Sequence, residues 1–462
     1  MVRVLRNIHP KRLKKGNAMK LEFGNTENVS LPMLKGHAGL LHEYTATLAR
    51  ASKDAAYTSP EAALYTPFDA GALAATRALA EKYIQVRTVF VVGIGGSDLA
   101  CRAVYDAVRG HVAQYAGKQT ADTPELLFFE TVEPEVLSAL AVRCKEIQAA
   151  EDVLLVVVSK SGATLETLTN AQAIYRMLEE CFGTEAAVRQ TVLIGNEHTP
   201  LHKQAQEKGF TFLSTPRQVG GRFSTCTAAN LFPLAVAGVD IAALCEGAQH
   251  AIANAVSATA ERPSGAHLRA ALLFEAWLKE TCIHEVFVFH PRLEMLGKWY
   301  RQLLAESIGK EQSDGHRIGI MPTVAVGTTD LHSLGQLIFG GPANRVTTFI
   351  AIPSLWDCPE LQQHDARVVF GCESMDGHSV GDVPATIFDA LREEYVQHNL
   401  PHSSFVFDGA TEREIGAYMG LEMVSVMLLG SLFDINAFDQ PAVEAYKEGT
   451  RKKLLEKNGG EV

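Results

Sequence analysis

What the chain lacks narrows its chemistry before any motif is read. Its eight cysteines, at 101, 144, 181, 226, 245, 282, 358 and 372, include no CxxC pair and no metal-type spacing. They read as small buried hydrophobes of a reducing, cytoplasmic setting. His284-Glu285 and His290 have the wrong spacing for HExxH, so no metal signature competes. No stretch approaches the roughly 20 uninterrupted apolar residues of a membrane span. Positive charge is not in excess either: 42 Lys and Arg stand against 53 Asp and Glu, a formal charge of −11. That balance argues against general nucleic-acid affinity but leaves room for a local basic pocket. With no low-complexity linker and no visible repeat, the 462 residues, 47% of them hydrophobic, suit two or three packed lobes.

What is present is an alternation of short β-branched runs with helical periodicity. Val86 to Val92 opens into Gly93-Ile94-Gly95-Gly96-Ser97-Asp98, and a helix is expected to follow, ending at Gly110. Further strands are expected at Leu126 to Phe129, Val153 to Val158, Thr191 to Ile194 and Phe210 to Leu213. A second series follows at Glu285 to Phe289, Ile318 to Val326, Val346 to Ile352 and Ser404 to Phe407, and helices near 412–433 and 441–456 close the chain. The expected fold class is α/β: two doubly wound parallel-sheet lobes, each a three-layer α-β-α sandwich, with helical extensions at both ends. Residues 1–18 are basic and read as a mobile extension, 19–60 as an N-terminal helical arm, 61–245 as the first lobe and 246–462 as the second. Two sheets of similar size suggest an internal duplication.

The central stretch is Val153 to Thr167, VLLVVVSKSGATLET. A buried strand ends in Ser159, Lys160, Ser161, Gly162, Thr164 and Thr167, and from Leu165 apolar residues recur at helical spacing until Gly183. Backbone N–H groups at a helix start, the positive end of its dipole and several hydroxyls suit a phosphate. The same residue types also favour an ordinary capped turn. GIGGS at Gly93 to Ser97 invites a dinucleotide reading, but the fingerprint GxGxxG would need glycine where Asp98 stands. A turn that lets backbone amides and Ser97 face a sugar phosphate fits better, and no cofactor is expected. Gly220-Gly221-Arg222 aims a permanently charged fork from a tight turn. Glu306 follows a helix that reads as Pro291 to Leu304, and a carboxylate at a helix C-terminus sits in an unfavourable field. His332 leaves the end of a strand, where α/β sheets place ligands. Gln440 reads as the N-cap of the last helix and shares a face with Lys447, two turns on. Singly, each of these also has an ordinary structural reading.

Jointly they carry a resemblance. SKSGATLET resembles the phosphate loop of the sugar isomerase (SIS) family. GIGGSDL, GGRFS, AESIGK, TTDLHS and FDQPAVEAYK resemble, in order, the motifs of the glucose-6-phosphate isomerase family. The chain departs from that pattern at Ala100, Phe223, Ala442 and Tyr446. The resemblance implies an aldose-ketose isomerase working through a cis-enediolate without metal or cofactor. Glu306 would be the proton-shuttling base and Arg222 the enediolate stabiliser, with His332 and Lys447 serving ring opening. Gly96, Ser97, Ser159, Lys160, Ser161, Thr164, Thr167, Gln302 and Gln440 would face the substrate. It further implies a homodimer in which His332 reaches the neighbouring subunit's site. An isomerase of another sugar phosphate, such as mannose 6-phosphate or glucosamine 6-phosphate, and a non-enzymatic sugar-phosphate sensor are the alternatives.

Overall fold

The computed structural model describes residues 2–5, 19–24, 29–110, 123–357 and 378–457. Most of the basic N-terminal stretch, together with Cys358 and Cys372, lies outside the described residues. The chain opens with two strands, β1 (Val2–Leu5) and β2 (Lys20–Gly24). The first lobe then builds on β3 (Thr88–Val92), β4 (Glu125–Phe129), β5 (Val153–Val158), β6 (Thr191–Gly195) and β7 (Thr211–Ser214). These pair in the order β4-β3-β5-β6-β7, all parallel. The second lobe uses β8 (Ile283–Val288), β11 (Met321–Val326), β12 (Arg345–Ala351) and β13 (His402–Val406), in the order β13-β12-β8-β11. The first sheet, counted along the chain, runs second-first-third-fourth-fifth, the order of a doubly wound fold.

Strand burial explains the layering. All six residues of β5 are buried, because a parallel strand covered by helices on both faces has no solvent side. Leu154, Val156 and Val158 point into a core shared by both lobes, while Val153, Leu155 and Val157 point into a separate core on the outer face. The second sheet repeats this: Val286 and Val288 join the shared core, and Phe287, Phe349 and Phe388 build an outer aromatic cluster. Through the shared core runs the helix Glu412–Leu432. It is long and apolar enough to cross a membrane by length and composition, yet 78% of its apolar window is buried within the protein. Gly416 and Gly420 let its backbone close on Leu244 and Ala248 of the helix Ile241–Val256, where a Cβ would clash.

Several expectations need correction. The strand order is not among them: read from its β11 edge the second sheet runs second-first-third-fourth, as the first sheet begins, which is the order an internal duplication would give. The segment 19–60 is not wholly helical: β2 pairs antiparallel with β13, so the second sheet is mixed, and β1 adds beside β2 in parallel. The physical reason is packing. Leu21 and Phe23 enter the shared core, and buried Glu22 meets Arg392 at 2.8 Å. Because Val2–Leu5 are a strand, part of the expected mobile extension is paired. The run Ile318 to Val326 breaks at Gly319-Ile320 into β10 (Arg317–Ile318), which pairs with β9 (Lys310–Glu311), and β11. Finally, the helix expected to stop at Leu304 continues as Glu294–Ile308, so Glu306 lies inside its last turn.

Candidate active site

In a sheet wound second-first-third-fourth, the crevice opens between the first and third strands, at their carboxyl ends. In the first lobe these are β3 and β5, and the loops after them are GIGGS and SKSGA. A cleft of ≈ 1080 Å³ lies there. It brings together Gly96, Ser97, Lys160, Ser161, Thr164, Arg222, Gln302, Glu306, Gln440 and Lys447. Ser159, Thr167 and His332 do not line it.

The phosphate loop is built for close approach. Gly162 has φ +63°, and a Cβ there would lie 2.9 Å from Leu201 N. Thr164 occupies the N-cap position of the helix Leu165–Phe182 but makes no side-chain cap bond. That favours the anion reading over the capped turn, because the first-turn N–H groups have no side-chain cap and Thr164 to Glu166 line the cleft. Ser161 Oγ accepts from Ala163 N at 3.3 Å and stays exposed. Ser159 is buried and donates to Thr164 Oγ1 at 3.3 Å, orienting that hydroxyl rather than reaching the cleft itself. Thr167 is fully buried on the inner stripe of its helix, with Asn170, Ile174 and Leu178.

The other loops meet edge to edge. A Cβ on Gly96 would lie 2.6 Å from Gly221 Cα and 2.7 Å from Arg222 N, so glycine is required for the GIGGS turn to touch the GGR turn. Ser224 Oγ donates to Gly96 O at 3.1 Å and fixes the pair. Asp98 sits behind this turn, wholly buried. Burial first, then repulsion from Glu130, holds its carboxyl well above the usual range.

Arg222 is the hub. It is 4% exposed, and its guanidinium donates to five groups. Nε meets Ser307 Oγ at 2.8 Å, and Nη1 meets Glu306 Oε2 and Gln440 Oε1, each at 3.2 Å. Nη2 meets the carbonyls of Ala437 at 2.7 Å and Asp439 at 3.2 Å. Burial lowers its pKa, and Glu306 and Asp439 act against that shift. Gln440 makes no capping bond; its side-chain oxygen serves Arg222 instead. Across the carboxylate, Gln302 Nε2 donates to Glu306 Oε1 at 3.0 Å. Glu306 is thus gripped on both oxygens, while its side chain remains 34% exposed to the cleft. Lys447 closes the far side, paired with Glu444 at 2.9 Å. Among the described residues no group of three or more His, Cys, Asp and Glu converges as a metal site would.

Residues 74–459 match the family model described as Phosphoglucose isomerase. The chain belongs to the phosphoglucose isomerase family. A glucose-6-phosphate isomerase of Symbiobacterium thermophilum is 32% identical over 376 residues, covering 80% of this chain and 81% of that protein. One from Fusobacterium nucleatum is 30% identical over 374 residues, covering 81% of each. Among solved structures, a hypothetical protein of Thermus thermophilus superposes with TM-score 0.80 at 28% identity, covering 94% of this chain and 99% of that one. A glucose-6-phosphate isomerase from Chlamydia trachomatis shares the fold, with TM-score 0.64 at 23% identity and coverage of 91% and 78%.

For this phosphoglucose isomerase family member, the motifs leave out part of the cleft wall. Asn196 and Thr199 follow β6, Thr215 and Arg217 follow β7, and Thr450 and Arg451 lie on the last helix, Glu444–Lys457. The rule that parallel sheets bind ligands at their carboxyl ends would have found the first four.

Proposed function

We propose that this chain interconverts glucose 6-phosphate and fructose 6-phosphate by proton transfer through a cis-enediolate, in the cytoplasm. The observation that carries the reading is the placement of Glu306, held by Gln302 at 3.0 Å and by buried Arg222 at 3.2 Å in one cleft with a phosphate-type loop. The loop Lys160 to Thr164, with Ser97, takes the phosphate, and that remote binding orients the reacting carbons. Glu306 removes the C2 proton and returns it at C1, since one base suffices for both transfers. Arg222 already donates to the base, and the same fixed donors stabilise the enediolate oxygens as charge develops. Lys447, with His332 of the second copy, serves the ring oxygen and O1, and Gln440 faces the substrate.

The active form is a homodimer, and His332 works in the partner's cleft. His332 is exposed and outside its own cleft, at the start of the helix Leu331–Gly340. Of that apolar helix, LHSLGQLIFG, only Ile338 is buried, and Leu337 is 47% exposed. Such a face suits a second copy of the chain. A dilution series yielding a fully active monomer would refute the shared site.

The test of the function is turnover of fructose 6-phosphate in the presence of a chelator, for the wild type and Glu306→Gln. Loss of a general base lowers the rate by about 10² to 10⁴. A wild type that binds sugar phosphate without turning it over would overturn the reading and favour a sensor.

A further inference from the structure

The carboxyl ends of β5, β6 and β7 stand side by side, and each delivers a loop to one edge of the cleft. The first loop carries Lys160, the second Asn196 and the third Arg217. The third is braced. Thr215 N donates to Gly195 O at 2.8 Å, and Asn196 Nδ2 donates to Thr215 O and Oγ1 at 2.9 and 3.0 Å. Val219 N then closes a turn on Pro216 O at 3.2 Å, and Arg217 sits at the second position of that turn. A small recess lined by Ser97, Lys160, Thr215 and Pro216 runs between this turn and the phosphate loop.

Charge in the cleft is unevenly neutralised. Arg222 is paired with Glu306 and Lys447 with Glu444. Glu166 and Glu197 also line the cleft, but neither forms an ion pair with Lys160 or Arg217 among the described residues. Burial and then the positive charges of Arg222 and Arg217 pull the Lys160 amine down, with no carboxylate opposing them. Two unneutralised cations that repel one another beside a phosphate loop make an arrangement that gains stability when an anion arrives.

We propose that Arg217, a residue outside the family's motifs, is a phosphate-recognition group that acts with Lys160 to clamp the phosphate of the substrate from the β7 side. The proposal rests on the isomerase reading for its substrate, but its test does not. Arg217 is exposed, so replacing it leaves the core intact. Binding of inorganic phosphate is measured by calorimetry on the wild type, Arg217→Gln and Arg217→Lys at low and high salt. KM and kcat for fructose 6-phosphate are measured alongside.

At low salt, Arg217→Gln should bind phosphate about fivefold more weakly, and the gap should close as salt screens the contact. Arg217→Lys should recover part of the loss, and KM should rise by more than kcat falls. A phosphate affinity for Arg217→Gln within about twofold of the wild type at low salt would overturn the proposal, whatever the turnover. If phosphate binding depends on Arg217 but the wild type never isomerises, the functional reading fails and the clamp stands.

Discussion

Both lobes are built on parallel strands whose carboxyl ends could hold a ligand, yet the loops that line the cleft after the first and third strands belong to the first. The difference lies in the loops after the strands. In the first lobe β3 and β5 open into glycines and hydroxyls, which leave backbone N–H groups free to meet an anion. In the second, β8 is followed by buried Phe289 and then His290-Pro291, and β12 by buried Ile352 and Pro353. Proline removes the donor that such a site would need, and the His290 side chain accepts from Arg292 N, closing the turn on itself. The second lobe contributes instead from the far end of the helix after β8, where Glu306 sits. A shared architecture offers a location, and loop chemistry decides whether it becomes a site.

The lobes also differ inside. The second holds a buried polar network: Arg269 and Glu422, both 0% exposed, pair at 3.0 Å. Arg269 also donates to Thr348 Oγ1 at 2.8 Å and Ser403 Oγ at 3.0 Å. His284 reaches Thr348 at 2.8 Å and Tyr300 at 3.1 Å, and Tyr300 belongs to the helix that bears Glu306. The described interior of the first sheet is almost wholly apolar. Replacing Arg269 with Met should therefore destabilise the protein by about 3 to 5 kcal/mol, because Glu422 is left buried and alone. Urea titration checks this, and Arg269→Met with Glu422→Leu should recover most of the loss. If the single variant unfolds at the wild-type midpoint, the contrast in dependence on polar order is wrong.

Acid offers a second way to separate them. Burial lowers the pKa of His267 and of His402 to about 4, and that of His284 well below its ordinary value, and the second sheet and the helices packed on it hold all three. Their folded pKa values are depressed, so the unfolded chain binds more protons between pH 6.5 and about 4. Stability is then fully present above pH 6.5 and is lost as pH falls through that window, by up to about 3 kcal/mol each for His267 and His402. Hydrogen exchange followed from pH 7 to 4 should show amides of β8, β12 and β13 losing protection before those of β3, β5 and β6. Equal loss in both sheets would remove the distinction.

The narrowest test concerns the contact between loops. Gly96→Ala places a methyl against the Gly221 backbone, where rigid main chain cannot yield. A displacement of about 1 Å between the GIGGS and GGR turns should lower kcat/KM by about 10²-fold, with a small change in melting temperature. Full activity would mean that the two turns need not touch.

Much of this is legible from the chain. β5 and its loop announce themselves because a fully buried strand must be apolar at every position, and the break into hydroxyls is abrupt. β2 is illegible: five residues give little periodicity, and Glu22 meets its partner Arg392 370 positions away. The last turn of the helix Glu294–Ile308 is harder to see because a carboxylate at Glu306 suggests a position beyond the helix end, whereas Leu303, Leu304, Ser307 and Ile308 continue its buried face. Thr167 sends two signals. Its hydroxyl suggests the cleft, but its spacing from Asn170, Ile174 and Leu178 marks the inner stripe of the helix, and packing decides for the stripe. Arg217 carries no motif, and only the braced turn gives it a direction.

The five hydrogen bonds of Arg222 also set an order of events during synthesis. Their acceptors come from two parts of the chain: the helix end at Glu306 and Ser307, and the segment that carries the Ala437 and Asp439 carbonyls and the Gln440 side chain. A growing polypeptide that has completed both sheets still holds a guanidinium without its last three partners. The cleft is therefore assembled only after residues 437–440 have left the ribosome and folded back across the first lobe. Until then the chain carries its hydroxyl-rich loop and Glu306 but has no finished cleft that holds them together.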